Sequence, residues 1–100
     1  MRLISIGTID AVENGTAVEL DQPTADFILL AVCDGWNGTA NLASSDASGG
    51  TFTDISGTAI TEAVSDRTHV IAMSGDNKFI RAEGTAWTAG SIEFFLIAPY

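Results

Sequence analysis

His69, Cys33 and the acidic residues Asp34, Asp46, Asp54, Asp66 and Asp76 are the side chains whose types could carry catalysis or hold a metal. Nucleophilic catalysis needs a base beside the nucleophile, and the chain has one histidine and one cysteine for the task. His69 stands in "RTHVIAM", where alternation with Ile71 and Met73 places it on an apolar strand face, the position of a structural or edge histidine. Cys33 ends the apolar run "FILLAVC", where a thiol packs as a small hydrophobe. A single cysteine makes no intrachain disulfide, and one His with one Cys makes no His/Cys metal site. The five aspartates fall at turns, where the carboxylate bonds nearby backbone N–H groups. None has the D-x-D-x-D-G spacing of a calcium loop. The reading is a chain with no catalytic, cofactor or metal site.

Trp36 and Trp87 have the chemistry of sugar-stacking platforms, yet no cluster of Tyr, Asn or Arg accompanies them. Packing at strand ends, ring buried and indole N–H wet, accounts for both. The stretch "SSDASGGTFTDIS", residues 44–56, holds six hydroxyl residues and two adjacent glycines. It lacks the lysine of a phosphate loop and precedes a strand instead of a helix. Gly49-Gly50 is expected to be the turn, with Phe52 and Ile55 reaching toward the core and the hydroxyls solvating the loop.

Thirteen acidic against four basic residues give a net charge of −9, which repels phosphate backbones and anionic headgroups. Neither nucleic acid nor membrane is an expected partner. Arg2, Arg67, Lys78 and Arg81 form no run. The N-terminal "MRLISIG" falls short of a signal-peptide core, no stretch reaches the apolar length of a membrane helix, and a soluble chain in a reducing cytoplasm is expected. The chain is 46% hydrophobic but only 17% charged, below the roughly 25% of ordinary soluble domains, so its surface is adhesive for a lone domain. One hundred residues make one domain, 1–100, with one core.

The elements that must position these residues are strands. Thr, Ile, Val and Phe recur in short runs punctuated by Gly, Asn, Asp and Ser, which predicts an all-β fold, an antiparallel β-sandwich of jelly-roll type with about eight or nine short strands. In "TIDAVENGTAVEL", Asn14-Gly15 suits a type I′ hairpin turn. That register sets Ile9, Ala11, Val18 and Leu20 on the core face and Asp10 opposite Glu19. Pro23 ends this unit, since proline cannot continue a central ladder. Phe27, Leu29, Phe52, Phe79, Phe94 and Leu96 are the expected core.

Two strands are apolar on both faces. In "FILLAVC" one side carries Phe27, Leu29, Ala31 and Cys33 and the other Ile28, Leu30 and Val32. In "IEFFLIA" Ile92, Phe94, Leu96 and Ala98 oppose Glu93, Phe95 and Ile97. A sandwich strand ordinarily has one wet face, so the second apolar face must be covered, by a partner subunit, since exposed patches of this kind mark interaction sites, or by an internal loop or the N-terminal segment folded across the sheet. Ile28, Leu30, Phe95, Ile97 and Trp87 are the candidate interface residues.

Leu42, Ser45 and Asp46, then Gly49, Gly50, Phe52 and Ile55, then Lys78, Phe79, Ile80 and Arg81 form a series that resembles small β-sandwich or jelly-roll structural proteins of tailed-bacteriophage virions, including capsid decoration (cement) proteins. The likeness spans residues 38–98 loosely and leaves out the N-terminal hairpin. It implies a structural role on the outside of a virion capsid, with no active site. The doubly apolar strands and the charge-poor surface already predict a homo-oligomer; the resemblance implies that it is a trimer, with a major capsid protein as partner. A receptor- or carbohydrate-binding module of a phage tail or fibre is the alternative.

Overall fold

The computed structural model describes residues 1–22 and 26–100, so Pro23 lies outside the described residues. Within them the chain is all-β and antiparallel. The strands are β1 (Arg2–Ile9), β2 (Glu13–Asn14), β3 (Val18–Glu19), β4 (Phe27–Ser45), β5 (Thr53–Asp54), β6 (Ile60–Ser65), β7 (Thr68–Met73) and β8 (Phe79–Ala98).

Two of these are not the short strands expected. β4 runs 19 residues and β8 runs 20, and they pair from Ile28↔Ile97 to Ser45↔Phe79. Neither contains proline, which could not continue a central ladder. Asp34-Gly35 and Asn37-Gly38, dipeptides that by themselves mark turns, are absorbed as a bend, with register shifts between Asp34 and Ala40. Glycine is required there. Gly35 and Gly90 have φ of +60° and +76°, and a Cβ on Gly90 would run into the carbonyl of Gly35.

The bend divides the ribbon into two half-sheets. In the first, the order is β1-β8-β4-β7, using Ile92–Ala98 of β8 and Phe27–Val32 of β4. In the second, β2 and β3 border the start of β8 while β5 and β6 border the end of β4. Their inner faces meet in one core. Phe27, Leu29, Phe94 and Leu96 come from the first, Leu42, Ile60, Ile80 and Ala82 from the second, and Trp36 from the bend. Each fully buried Leu, Ile or Phe contributes about 1.5–3 kcal/mol. The architecture is that of a β-sandwich built from one bent sheet.

Two expectations are corrected. Phe52 and Phe79 are only half-buried. The core face of their region is set by Ile80, Ala82 and Gly84, which alternate with Phe79 and Arg81. Nor does Asn14-Gly15 close a hairpin. Residues 13–19 instead run along β8, with Glu13↔Gly84, Asn14↔Glu83 and Val18↔Ile80 paired and the Gly15 N–H donating to Ala82 O at 2.7 Å. An isolated two-stranded hairpin is marginal in water, whereas this path satisfies the edge of a long strand. Ile9 and Leu20 still reach the core, but Asp10 and Glu19 are not opposed.

Candidate interaction face

The first half-sheet has an outer face, and its register can be read row by row. Leu3, Ile97, Ile28 and Ala72 form one row across β1, β8, β4 and β7; Ser5, Phe95, Leu30 and Val70 form the next. A third row, Thr8, Glu93, Val32 and Thr68, ends the apolar field with a carboxylate. Directly opposed side chains stand close enough to make one surface. Leu3 is 60% exposed, Val70 66% and Ile28 42%, while Leu30, Phe95 and Ile97 are half-buried by their neighbours. Four strands at ~4.8 Å and five residues at ~3.4 Å give a field of roughly 300 Å², the size of the largest patch on a typical monomer. A cavity of about 380 Å³ opens at its rim, and Ile28 and Ile97 line both.

The second half-sheet does not leave its outer face bare. There Asn41 donates from Nδ2 to Asp54 Oδ1 at 3.0 Å, and the Arg81 guanidinium lies over the Phe52 ring. Arg81 also holds Glu83, Nη2 to Oε2 at 2.8 Å. Asn41 and Ala43, on the outer side of β4, are buried as a result. The loop 46–52, closed by a Gly50 N–H to Ala47 O bond of 3.0 Å, therefore folds its one aromatic onto its own sheet. Thr58 secures the far side: its hydroxyl donates to Ile55 O at 2.7 Å and accepts from the Leu42 N–H at 3.1 Å.

Of the five candidate interface residues, Ile28, Leu30, Phe95 and Ile97 adjoin one another on the first half-sheet. Trp87 is not among them. It pairs with Gly38 beyond the bend, and its Nε1 donates to Gly90 O at 3.0 Å. Leu3, Val32 and Val70 complete the face. The signal for Val70 is in "THVIAM", apolar on both sides like the two long strands, and for Leu3 in "RLISI".

The groups with chemical potential lie elsewhere. Cys33 is buried, and burial, reinforced by the Glu62 carboxylate, pushes its thiol pKa up. That keeps the thiol neutral, the reverse of an activated nucleophile. His69 Nε2 is 3.3 Å from Glu62 Oε1, and Arg67 Nη1 reaches the same oxygen at 3.6 Å, so these three tie β6 to β7. The ring nitrogen and carboxylate are not aligned for a hydrogen bond. Asp66 accepts from the Gly35 N–H at 2.8 Å, fixing the bend. Among the described residues no three of His, Cys, Asp and Glu converge on a common point.

Comparison with protein-family models, with curated proteins and with solved structures gave no match to this chain.

Proposed function

We propose that this chain is a non-enzymatic virion structural protein, a capsid decoration protein that docks on the outside of a phage head. The observation that carries the docking is the bare outer face of the first half-sheet, beside a second outer face that the chain covers with its own loop. A patch left open by a chain able to cover its neighbour is suited to a protein partner.

The winding supports the same reading. With each half of β4 and β8 counted as a strand, and β2 with β3 and β5 with β6 as one each, the segments number eight. The half-sheets then have the orders 1-8-3-6 and 2-7-4-5. That order supports a rolled, jelly-roll reading of the sandwich, an architecture of capsid and lectin domains. Fold alone does not assign a role; the virion and the capsid partner come from the resemblance of residues 38–98.

The test is a copy number and a rebinding assay. Quantitative mass spectrometry of purified particles should find hundreds of copies per head, and particles stripped of the protein should rebind it. Phe95→Asp and Ile28→Lys should fold and fail to rebind. A few copies per particle would replace this reading with the tail or fibre module, and none would remove the virion altogether.

A further inference from the structure

We infer that two copies of this chain pair through β7, strand to strand and antiparallel, about a two-fold axis at Val70. This does not rest on the virion reading.

The argument begins with the ladder. Among the described residues β7 pairs with β4 alone, in an unbroken register from Phe27↔Met73 to Val32↔Thr68. The Cys33 N–H donates to Arg67 O at 2.9 Å, which makes Cys33 and Arg67 a hydrogen-bonded pair. In an antiparallel ladder such pairs alternate, so His69, Ile71 and Met73 also turn their backbone groups to β4. Thr68, Val70 and Ala72 turn theirs to the open edge. An edge of this kind is a template for another strand, and proteins that must keep it free place charge, proline or a bulge on it. β7 has none of these: "THVIAM" contains no Lys, Arg, Asp, Glu or Pro, and its register has no shift. At the other edge of the half-sheet β1 is guarded, by a bulge between Ser5 and Gly7 and by Arg2 paired with Asp21.

The occupant that fits is a second β7. Three outward residues centred on Val70 are self-complementary: Val70 meets Val70 of the other copy, and Thr68 meets Ala72 in both directions. All the open N–H and C=O groups of Thr68, Val70 and Ala72 are then paired, the isologous contact of a two-fold dimer. Charge permits it as well. Each copy carries −9 overall, but in this register Arg67 faces Met73 and Asp66 faces Ser74, so no like charges oppose. The axis stands perpendicular to the sheet, so both outer faces remain on one side. Val70, on the rim of the apolar face in one copy, becomes the seam of a face twice as wide. The contact is two-fold, unlike the trimer that the resemblance implies.

Light scattering after size exclusion should give twice 10.4 kDa for the full chain. Val70→Lys places two ammonium groups in opposition and should weaken the pair up to about fivefold. Val70→Pro removes an N–H that β4 does not use, a substitution edge strands accept, and should yield a folded monomer. The register has its own readout. Val70→Cys sets two thiols on directly opposed Cα atoms about 5.5 Å apart, so dibromobimane, which links two neighbouring thiols with loss of two bromides, should join them into a covalent dimer, while Thr68→Cys should not be joined. A monomer up to millimolar concentration overturns the inference. So does any oligomer, trimer included, that Val70→Lys leaves intact, or a Val70→Cys variant that dibromobimane does not join. Circular dichroism of Val70→Lys, at a side chain that already faces solvent, separates lost pairing from lost folding.

Discussion

The guanidinium of Arg81 lies 4.2 Å from the centroid of the Phe52 ring, and this one stack makes the two half-sheets unlike. Residues 46–52 return to the sheet they left, so Asn41 and Ala43 are buried while Ile28 and Val70, in comparable outward positions, stay exposed. Phe52→Leu keeps the bulk and loses the cation–π attraction, an expected cost of about 0.5–1 kcal/mol. Phe52→Ala removes the packing too and should cost more. Urea denaturation of the two variants measures this, and unchanged midpoints for both would show that the stack does not hold the loop.

Phe94 is fully buried between the half-sheets, whereas Phe79 stands half-exposed on the second outer face. Phe94→Ala is expected to cost about 3–5 kcal/mol through lost transfer energy and the cavity left behind. Phe79→Ala should cost less than half as much. Thermal melts of the pair decide it: equal shifts would mean that the inward face of β8 is assigned wrongly.

The period-two pattern of β4 and β8 was legible, and it placed Leu29, Phe94 and Leu96 inside and Ile28, Leu30, Phe95 and Ile97 outside. Phe79 was not legible, because Phe79 and Ile80 are both apolar. What decides between them is that Ala82 and Gly84 share the Ile80 face. There a Cβ on Gly84 would stand 2.6 Å from Ile9 Cγ2, so small residues mark the close approach of the half-sheets. Asn14-Gly15 misled because turn chemistry is local, while its competitor, pairing with Glu83 and Ala82, lies nearly seventy residues away. Trp87 was separated from the face by a bend whose glycines read equally well as hairpin turns.

Those glycines differ in what they tolerate. Gly90→Ala meets both a positive φ and the Gly35 carbonyl and should cost at least about 3 kcal/mol. Gly84→Ala meets the Ile9 side chain and the Ala11 carbonyl, for about 1–3 kcal/mol. Gly49→Ala has nothing within 4 Å and should stay within about 0.5 kcal/mol of the parent. Chemical denaturation of the three tests the order, and a Gly90→Ala variant as stable as Gly49→Ala would show that the bend does not need glycine.

Cys33 sets a pH dependence. Its thiol pKa is raised in the folded chain above the ordinary 9.0, first by burial and then by Glu62. Below pH 9 the thiol is protonated in both states and contributes no pH dependence. Above it the unfolded thiol ionises while the folded one stays neutral, so the unfolded state binds fewer protons and stability falls as pH rises. The Cys33→Ala variant should show a smaller fall between pH 9 and 10.5. Native Cys33 should also resist iodoacetamide until the chain unfolds. Rapid labelling under native conditions would contradict its burial.

Val64 is the one described residue other than glycine with a positive φ, at 55°. It sits in the bulge of β6 where Trp36↔Ser65 and Gly38↔Glu62 leave it unopposed. A β-branched residue there is a genuine outlier, with a strain of about 1–3 kcal/mol. Its side chain is 72% exposed, so little burial offsets that strain. Val64→Gly relieves it but adds freedom to the unfolded chain, which returns about 0.5–1 kcal/mol of the gain. Asparagine tolerates the left-handed region without that loss. Val64→Asn is therefore expected to stabilise by about 1 kcal/mol, raising Tm by about 4–8 °C for a domain of this length, and Val64→Pro, locked at negative φ, should lower it sharply. Calorimetry of the three variants gives the order Asn, Gly, Pro. A Val64→Asn protein that melts below the parent would mean that the valine makes a contact worth more than the strain it bears.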